Sequence, residues 1–381
     1  MNLDGPATVG LLRGALSEVR RLPAAAARTM PAAFYSSPAF LELEKDAIFR
    51  REWVCLGHVG EVAAPGDYFT TELVDEPLLV VRGDDGAVRV LSNVCRHRGN
   101  LVAAGKGNKR IFACAYHAWT YGRDGRLKTA PLMQDVAGFA KATCRLPALR
   151  TAVWENFIFV NLDGNAPPLA ARLDALMPHI RNYHHEERHL VHATEDVWQT
   201  NWKCLTENFM EGYHLSVTHR RTLHPMTPTA LCEKVPGGEA FTAYKSHFVP
   251  SYPERGPYHP DLTPAERRYS VLFCVFPSFV VAYAPNVTLY MCLRPVAVDR
   301  VAIRWGIVST VADPASPVVQ NYVALCNGFN AEDREKLETL QQGLRSRYYT
   351  PGPLAPADVE GTIWDFYGFM ASRLAADVAI A

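Results

Sequence analysis

The sequence predicts a two-part α+β protein, with an all-β module followed by an α+β domain whose mainly antiparallel sheet is flanked by helices. First, a chain of 381 residues exceeds the size at which one hydrophobic core usually stops growing. Second, short β-type runs separated by turns fill residues 51–165, whereas long helical patterns mix with strand-like runs over residues 166–381. Third, hydrophobic residues make up 48% of the chain, which is enough to fill two cores.

Residues 1–50 are predicted to form helices that pack on the second domain. Helical periodicity covers residues 9–21. Ser37 and Pro38 then supply an N-cap and a proline at the first helical position, which predicts a helix through about Arg51.

The all-β module is predicted from runs such as residues 68–74 and 77–81, with turns at residues 84–86 and 123–125. It ends in a strand over about residues 153–162. The Asn-Ala-Pro-Pro segment that follows marks the boundary.

The second domain has helical patterns at about residues 201–214, 316–346 and 357–375. Its strand-like runs cover residues 271–283, 287–293 and 301–311. The segment 250–264 is rich in Pro and Tyr and is predicted to be a loop.

Composition excludes several classes of protein. Lys plus Arg and Asp plus Glu number 39 each, so the zero net charge favours neither nucleic acid nor an anionic membrane as a partner. No apolar run is long enough to span a membrane, and residues 1–4 lack the basic start of a signal peptide. We expect a cytoplasmic enzyme, in which the cysteines outside the motif below are buried, reduced thiols: Cys55, Cys144, Cys204, Cys232, Cys274, Cys292 and Cys326.

One motif carries the strongest chemical signal. Cys95 and His97 form a Cys-x-His pair, and after 16 intervening residues Cys114 and His117 form a Cys-x-x-His pair. Structural zinc is the alternative, but zinc sites usually pair Cys with Cys and His with His along the chain. Two mixed pairs instead suit a Rieske [2Fe–2S] cluster, in which one iron takes both thiolates and the other both imidazoles.

With this motif the chain resembles the Rieske non-heme iron oxygenases, in their terminal oxygenase or alpha component. The resemblance implies that Cys95, His97, Cys114 and His117 bind the cluster in a Rieske domain spanning residues 51–165. It also implies mononuclear Fe(II) in residues 166–381, a homotrimer, and electrons from NAD(P)H through a separate reductase or a ferredoxin. The chain has no Gly-rich dinucleotide fingerprint of its own. Three basic residues between the Cys-His pairs could attract such an acidic partner, or could simply be solvated: Lys106, Lys109 and Arg110.

A second motif contains His214 and His219. On an ideal helix these side chains would point about 140° apart, so a shared metal requires the helix to end or bulge between them. The resemblance gives both histidines to the mononuclear iron and requires a carboxylate as third ligand. Late in the chain the candidates are Glu332, Asp333, Glu335, Glu338 and Asp365. Similarity of the segment 329–339 to the family favours Asp333, with Glu332 as the alternative.

Glu211 and Asn208 of the same segment are candidate catalytic residues. If the helix continues, Glu211 lies on the same face as His214. In the resembled family an acid at this position connects an iron-binding His to a Rieske His of the neighbouring subunit, and most ring-hydroxylating members have Asp there. Glu instead resembles the branch that acts on quaternary ammonium and N-methyl compounds, such as carnitine, glycine betaine and stachydrine oxygenases.

Aromatic residues near these motifs could form a cation–π cage for a trimethylammonium group, or could only pack in the core: Trp202, Phe209, Tyr213, Tyr283, Tyr290, Trp305, Trp364 and Phe366. We therefore expect a Rieske-type terminal oxygenase that hydroxylates a C–H bond, with a quaternary ammonium or N-methyl compound as substrate. The alternatives are an aromatic ring or aromatic acid hydroxylase, and an electron-transfer Rieske protein without oxygenase activity.

Overall fold

The computed structural model describes residues 5–19 and 21–375. It divides into two compact units, one made of Met1–Val54 with Pro167–Ala381 and the other of Cys55–Ala166. The predicted domain limits of 1–50, 51–165 and 166–381 stay predictions. Below, the units are called the catalytic unit and the cluster unit.

The cluster unit is built from antiparallel strands. Among the described residues, one sheet has the strand order β1-β10-β9-β4-β3-β2-β5 and a smaller one the order β6-β7-β8. Buried residues of both sheets, among them Leu79, Leu91, Phe112 and Tyr121, share one core. The strands are β1 Val54–His58, β2 Asp67–Leu73, β3 Glu76–Arg82, β4 Val88–Ser92, β5 Lys106–Asn108, β6 Ile111–Ala113, β7 Thr120–Gly122, β8 Leu127–Thr129, β9 Ala148–Trp154 and β10 Phe157–Asn161.

The catalytic unit contains a second antiparallel sheet, with the described strands in the order β11-β17-β16-β15-β14-β13-β12. Its central strands are almost fully buried, as expected for a sheet that is covered by helices. The strands are β11 His189–Trp198, β12 Cys232–Val235, β13 Phe241–His247, β14 Tyr269–Val275, β15 Phe279–Tyr283, β16 Val287–Ala297 and β17 Arg300–Ser309.

Helices flank this sheet. The longest helix, α7, contacts β11 and β17, while α8 contacts β12 and β13. The helices are α1 Pro6–Val19, α2 Ala33–Ser36, α3 Pro38–Glu44, α4 Leu169–Leu173, α5 Met177–Ile180, α6 Trp202–Phe209, α7 Pro317–Gly343 and α8 Ala357–Leu374. The predicted fold class, an all-β module plus an α+β domain with a mainly antiparallel sheet, is confirmed.

The N-terminal predictions hold in outline. Ser37 caps α3 by accepting a hydrogen bond from the Phe40 amide, and Pro38 is its first residue. A π-helical turn continues α3 from Lys45 to Phe49. Helix α1 covers most of the predicted span 9–21, of which Arg20 lies outside the described residues.

Two element predictions were wrong. The run 271–283 is not one strand but the hairpin of β14 and β15, because the chain reverses at Pro277, which lacks an amide hydrogen. The predicted helix 201–214 ends at Phe209, so Glu211 and His214 are not on a helix. A continuous apolar run does not reveal the hairpin, and helical periodicity does not reveal where the helix ends.

The remaining cysteines form no disulfide in the described chain, and Cys144 and Cys232 are only partly buried. None of the described helices is both long enough and apolar enough to cross a membrane.

Candidate metal centres and substrate cavity

The end of α6 sets the geometry of the His214 and His219 segment. Asn201 caps the start of α6, because its side chain accepts a hydrogen bond from the Lys203 amide. Past its last residue the chain turns, and the Gly212 amide donates to the Val359 carbonyl at 2.9 Å. A Cβ atom on Gly212 would collide with the Cys232 sulfur. Because Gly212 has no side chain, it allows the turn that separates His214 and His219 from α6.

The turn brings three potential metal ligands together. His214 Nε2 lies 3.1 Å from His219 Nε2. Asp333 Oδ1, on α7, lies 3.6 Å from His214 Nε2 and 3.1 Å from His219 Nε2. A metal bound at about 2.1 Å by three ligands at right angles would hold them about 3.0 Å apart. The separations match a facial arrangement of two imidazoles and one carboxylate.

The far nitrogens of both imidazoles are held by carboxylates. His214 Nδ1 bonds Glu211 Oε1, and His219 Nδ1 bonds Glu332 Oε2 at 2.9 Å. Such bonds place the proton on Nδ1 and leave the lone pair on Nε2. Burial lowers the pKa of His214, but the Glu211 and Asp333 charges outweigh burial and the net shift is upward.

This arrangement fits a bound cation. Asp333 Oδ1 is buried and accepts no hydrogen bond, although His219 Nε2 lies beside it. With the imidazole protons on Nδ1, the two Nε2 lone pairs and the Asp333 carboxylate face one another, which is costly unless a metal ion occupies the space. Ferrous iron accepts this donor set, since two histidines and one carboxylate form its common facial triad.

The other carboxylate candidates have different partners. Glu332 bonds the His219 ring and accepts from Thr222 Oγ1 at 2.6 Å. Glu335 pairs with the Lys336 ammonium, and Glu338 with the Arg334 guanidinium. Asp365 lies 2.8 Å from the Lys234 ammonium. Sequence reasoning left Asp333 and Glu332 open, and the geometry now assigns them to opposite sides of the His219 ring.

Glu211 contacts His214 for a reason that the sequence did not predict. Its carboxylate accepts from the backbone amides of Tyr213 and His214 as well as from the His214 ring. It therefore caps the turn itself, instead of lying one helical turn away.

In the cluster unit, the four motif residues lie on two similar turns. The Gly99 amide donates to the Cys95 carbonyl at 3.0 Å, and the Ala118 amide donates to the Cys114 carbonyl at 2.9 Å. The fourth residue after each Cys adopts a positive φ, 78° at Gly99 and 57° at Ala118. The Cys side chains are buried, whereas His97 and His117 are exposed.

Like ligands are paired, as a two-iron cluster needs. The two thiols contact each other, and the rings of His97 and His117 have centroids 4.5 Å apart. Burial raises the pKa of Cys114, but the Tyr116 amide and the Cys95 side chain outweigh it and the net pKa is lowered. A buried thiolate pair beside an exposed imidazole pair fits a Rieske cluster better than one zinc ion.

A cavity of about 190 Å³ is lined by the three potential metal ligands His214, His219 and Asp333. Asn208, the second catalytic candidate, lines it. Its floor is the sheet, where Tyr244, Leu272, Ala282 and Leu289 form one cross-strand row. One face of α7 closes it, and the predicted loop at 250–264 contributes residues to its rim.

The sequence left open whether eight aromatics form a cage or only pack in the core. Of these eight, only Phe209 lines the cavity. Trp202, Tyr283 and Tyr290 are core residues, and Tyr213 is exposed. The sequence does not show the strand register, so it cannot tell which aromatics face the cavity. The aromatics that line it are Phe209, Tyr244, Phe248, Tyr252, Tyr258, Tyr322 and Phe329.

The basic residues between the two Cys-His pairs are exposed. They are Lys106, Lys109 and Arg110, and the Lys109 ammonium lies over the Tyr68 ring, 5.3 Å from its centroid. Their exposure is compatible with both alternatives, attraction of an acidic partner and simple solvation.

Known proteins share this combination of sites. The family model for the ring hydroxylating alpha subunit (catalytic domain) matches residues 178–376, and that for the Rieske [2Fe–2S] domain matches residues 52–140. The carnitine monooxygenase oxygenase subunit of Acinetobacter baumannii is 35% identical over 194 residues, 50% of this chain and 52% of that relative. The glycine betaine monooxygenase oxygenase subunit of Pseudomonas aeruginosa is 33% identical over 196 residues, 51% of this chain and 46% of that relative. The match therefore spans about half the length of these curated relatives.

Solved structures match over more of the chain. A quaternary ammonium Rieske monooxygenase, CntA, crystallised with an inhibitor, superposes with a TM-score of 0.82 at 25% identity, covering 92% of this chain and 98% of that chain. Naphthalene 1,2-dioxygenase from Rhodococcus sp. superposes with a TM-score of 0.78 at 21% identity, covering 98% and 99%, and shows a shared fold. The chain thus belongs to the family of ring-hydroxylating alpha subunits, with the Rieske [2Fe–2S] domain of the Rieske non-heme iron oxygenases.

Proposed function

We propose that this chain is the oxygenase component of a multicomponent monooxygenase that hydroxylates a C–H bond beside the nitrogen of a quaternary ammonium or N-methyl compound. The observation that carries the proposal is the convergence of His214 Nε2, His219 Nε2 and Asp333 Oδ1 at an aromatic cavity. When bound by these residues, the cluster would supply single electrons and the mononuclear iron would supply the chemistry of O₂ reduction.

The balanced reaction consumes O₂, two electrons and two protons for each C–H bond converted to C–OH, and releases water. NAD(P)H supplies the electrons through a separate reductase or ferredoxin. When the carbon is an N-methyl group, the hydroxylated product is a hemiaminal, which collapses to formaldehyde and the demethylated amine.

The residues of the chain have distinct roles in this proposal. His214, His219 and Asp333 bind the iron, while Glu211 and Glu332 hold the imidazoles in the correct tautomer. Cys95, Cys114, His97 and His117 bind the cluster, and the exposed imidazoles provide the route by which electrons leave it.

The cavity suits a cationic head group near the iron. Phe209, Tyr244 and Phe329 line the cavity close to the proposed iron ligands, and the Phe329 ring lies 6.1 Å from the His219 ring. Aromatic faces attract quaternary ammonium groups through their quadrupoles. The resemblance of Glu211 to the quaternary ammonium branch and the similarity to carnitine and glycine betaine monooxygenases support the same substrate class.

Assembly is part of the proposal. A head-to-tail trimer would let Glu211 of one subunit bond both its own His214 and His117 of the next subunit. The exposed position of the His117 ring supports this arrangement.

The aromatic ring hydroxylase remains the second candidate, because the matching family model describes ring-hydroxylating subunits. The electron-transfer protein without oxygenase activity is disfavoured by the three converging ligands, which such a protein does not need.

The test is a substrate panel with a surrogate reductase, in which formaldehyde release and O₂ uptake are measured together. We expect coupled turnover with quaternary or N-methyl amines and none with benzoate-like acids. The Asp333→Ala variant is the matched control, since it keeps the cluster and removes a proposed iron ligand. Coupled turnover of benzoate-like compounds alone would overturn the amine assignment in favour of ring chemistry.

A further inference from the structure

The cavity has two ends that can be located along α7. Asp333, Phe329, Cys326 and Tyr322 all line it and recur at helical spacing. Eleven residues separate Asp333 from Tyr322, which is about 16 Å at 1.5 Å per residue. The Tyr322 end is therefore well removed from the proposed iron ligands.

The strands of the sheet locate the same two ends of the cavity independently. The Tyr244 hydroxyl donates to the carbonyl of Phe209, the last residue of α6, at 3.5 Å, so Tyr244 lies at the iron end. Ser246 pairs with Ser270 one row further along the strands. Arg267 lies two residues before the start of β14, beyond that row, and lines the cavity at its far end.

The far end contains cationic side chains without carboxylate partners within the described chain. Arg267 Nε is buried without a hydrogen-bond partner, and its guanidinium lies 4.5 Å from the Tyr258 ring centroid. The exposed Arg255 lies over the Tyr252 ring at 5.3 Å. The one acid that lines this end, Glu254, accepts a hydrogen bond from the Tyr258 hydroxyl at 3.1 Å.

A third guanidinium lies behind the wall. Arg188 is 5% exposed and donates to the carbonyls of Ala284 and Pro285, two cavity-lining residues, at 3.0 Å each. Burial lowers the pKa of Arg188 to about 10, which still leaves it charged at neutral pH. A buried cation bonded only to neutral oxygens makes the potential at this end positive.

We infer that the far end of the cavity, formed by Arg267 and Arg255 and backed by Arg188, binds an anionic group of the substrate. The substrate is then a zwitterion, with its oxidisable carbon at the iron and a carboxylate at Arg267. This deepens the proposed function and rests on it for which end is oxidised. The carboxylate pairs with a planar guanidinium that has open donors, which is the geometry that arginine recognises best.

The experiment measures binding by calorimetry to the iron-loaded protein without reductase. The probes are a trimethylammonio-butanoate, its primary amide, and the two isosteres in which a tert-butyl group replaces the trimethylammonium. We expect the carboxylate of each pair to bind about 10- to 100-fold more tightly than its amide, as for a hydrogen-bonded charge. Arg267→Gln should abolish that preference, and Arg267→Lys should restore part of it. Arg300→Gln, at an exposed arginine that does not line the cavity, should leave it unchanged.

The probes carry either a trimethylammonium or a tert-butyl head group, and comparing the two head groups tests this inference independently of the proposed function. Equal binding of carboxylate and amide by the unchanged protein, no binding of any probe, or a preference that survives in Arg267→Gln overturns the anionic site. A separate turnover assay of the ammonium probes with reductase added tests the chemistry. A carboxylate preference in binding with both head groups, but no oxidation of any ammonium probe in that assay, would leave the anionic site in place and overturn the amine chemistry. Formaldehyde release from the ammonium probes without a carboxylate preference would do the opposite.

Discussion

Asp333 and Glu332 are sequence neighbours with different expected effects on iron binding. Asp333→Ala removes a donor atom from the triad, so we expect loss of the mononuclear iron, from about three to about two Fe per chain, with the cluster absorption unchanged. Glu332→Gln keeps a hydrogen-bond acceptor beside His219 Nδ1, so iron affinity should fall by about tenfold to a hundredfold at most. Iron analysis with a chelator titration measures both.

The comparison works because Asp333 Oδ1 faces the Nε2 atoms whereas Glu332 faces Nδ1. If Glu332→Gln lost all mononuclear iron while Asp333→Ala kept it, the ligand assignment would be reversed.

Tyr121 is expected to set the potential of the cluster. Its hydroxyl lies 3.3 Å from Cys95 Sγ and accepts from the Arg96 amide at 3.0 Å. Burial raises the pKa of Tyr121, so the hydroxyl stays protonated and can donate to a thiolate. Hydrogen bonds to cluster sulfurs stabilise the more negative, reduced form. Tyr121→Phe should therefore lower the reduction potential, measured by a spectroscopic redox titration.

Tyr116→Phe is the matched control, because Tyr116 is 55% exposed and its ring lies against His117. An equal shift in both variants, or an unchanged potential in Tyr121→Phe, would contradict the role of the Tyr121 hydroxyl.

The turn after α6 depends on Gly212. Because a Cβ at this position would collide with Cys232 of β12, Gly212→Ala should displace the segment that carries His214 and His219. We expect loss of mononuclear iron with an intact Rieske absorption spectrum. Gly343→Ala, at the end of α7 where a Cβ meets nothing within 4 Å, should leave the iron content unchanged. Normal iron in Gly212→Ala would show that the turn tolerates a side chain.

Glu207 connects α2, α6 and α8. Tyr35 Oη donates to its carboxylate at 3.0 Å and Tyr367 Oη at 3.3 Å. Burial raises the pKa of Glu207 from 4.5 to about 8. Between those pH values the unfolded chain binds fewer protons than the folded chain, so the stability that the protonated form provides is lost as pH rises from 4.5 to about 8.

Glu207→Gln keeps an acceptor for the tyrosines but does not titrate. We expect its free energy of unfolding, measured with urea at several pH values, to depend less on pH over this range than that of the unchanged protein. Identical pH profiles for the two proteins would show that Glu207 is ionised in the folded state.

At the scale of the whole molecule, the proposed trimer makes Glu211 a connection between metal centres of different subunits. Glu211→Gln keeps the size of the side chain but removes its charge, so both metals should remain bound and the cluster should still be reduced normally. Product formation should fall severely, because transfer between the centres fails. Sedimentation should show an intact trimer. Near-normal coupled turnover in this variant, or an active native monomer, would remove the intersubunit bridge.

Local patterns in the sequence were sufficient to predict the Rieske cluster and the fold class. The Cys-x-His and Cys-x-x-His pairs predicted a Rieske cluster because a covalent spacing limits which ligands can meet, and the family match confirms that domain. The fold class followed from periodicity, since β-type and helical patterns occupy different parts of the chain. Helix α7 and the cap at Ser37 were predicted for the same reason.

Only the tertiary structure decided how distant residues meet. Similarity to the family favoured Asp333 over Glu332, but both lie more than a hundred residues from His219, and the packing of α7 determines which one faces Nε2. The hairpin at Pro277, the early end of α6 and the set of cavity aromatics likewise depend on register and packing between elements. The Cys-His spacing alone predicted the cluster, because cluster ligands are residue types at short spacing. The mononuclear iron was expected from the family resemblance, because its carboxylate ligand is distant in sequence. The shape and charge of the cavity needed the fold, because Tyr244, Arg267 and Tyr322 become neighbours only when the sheet and α7 pack around one space.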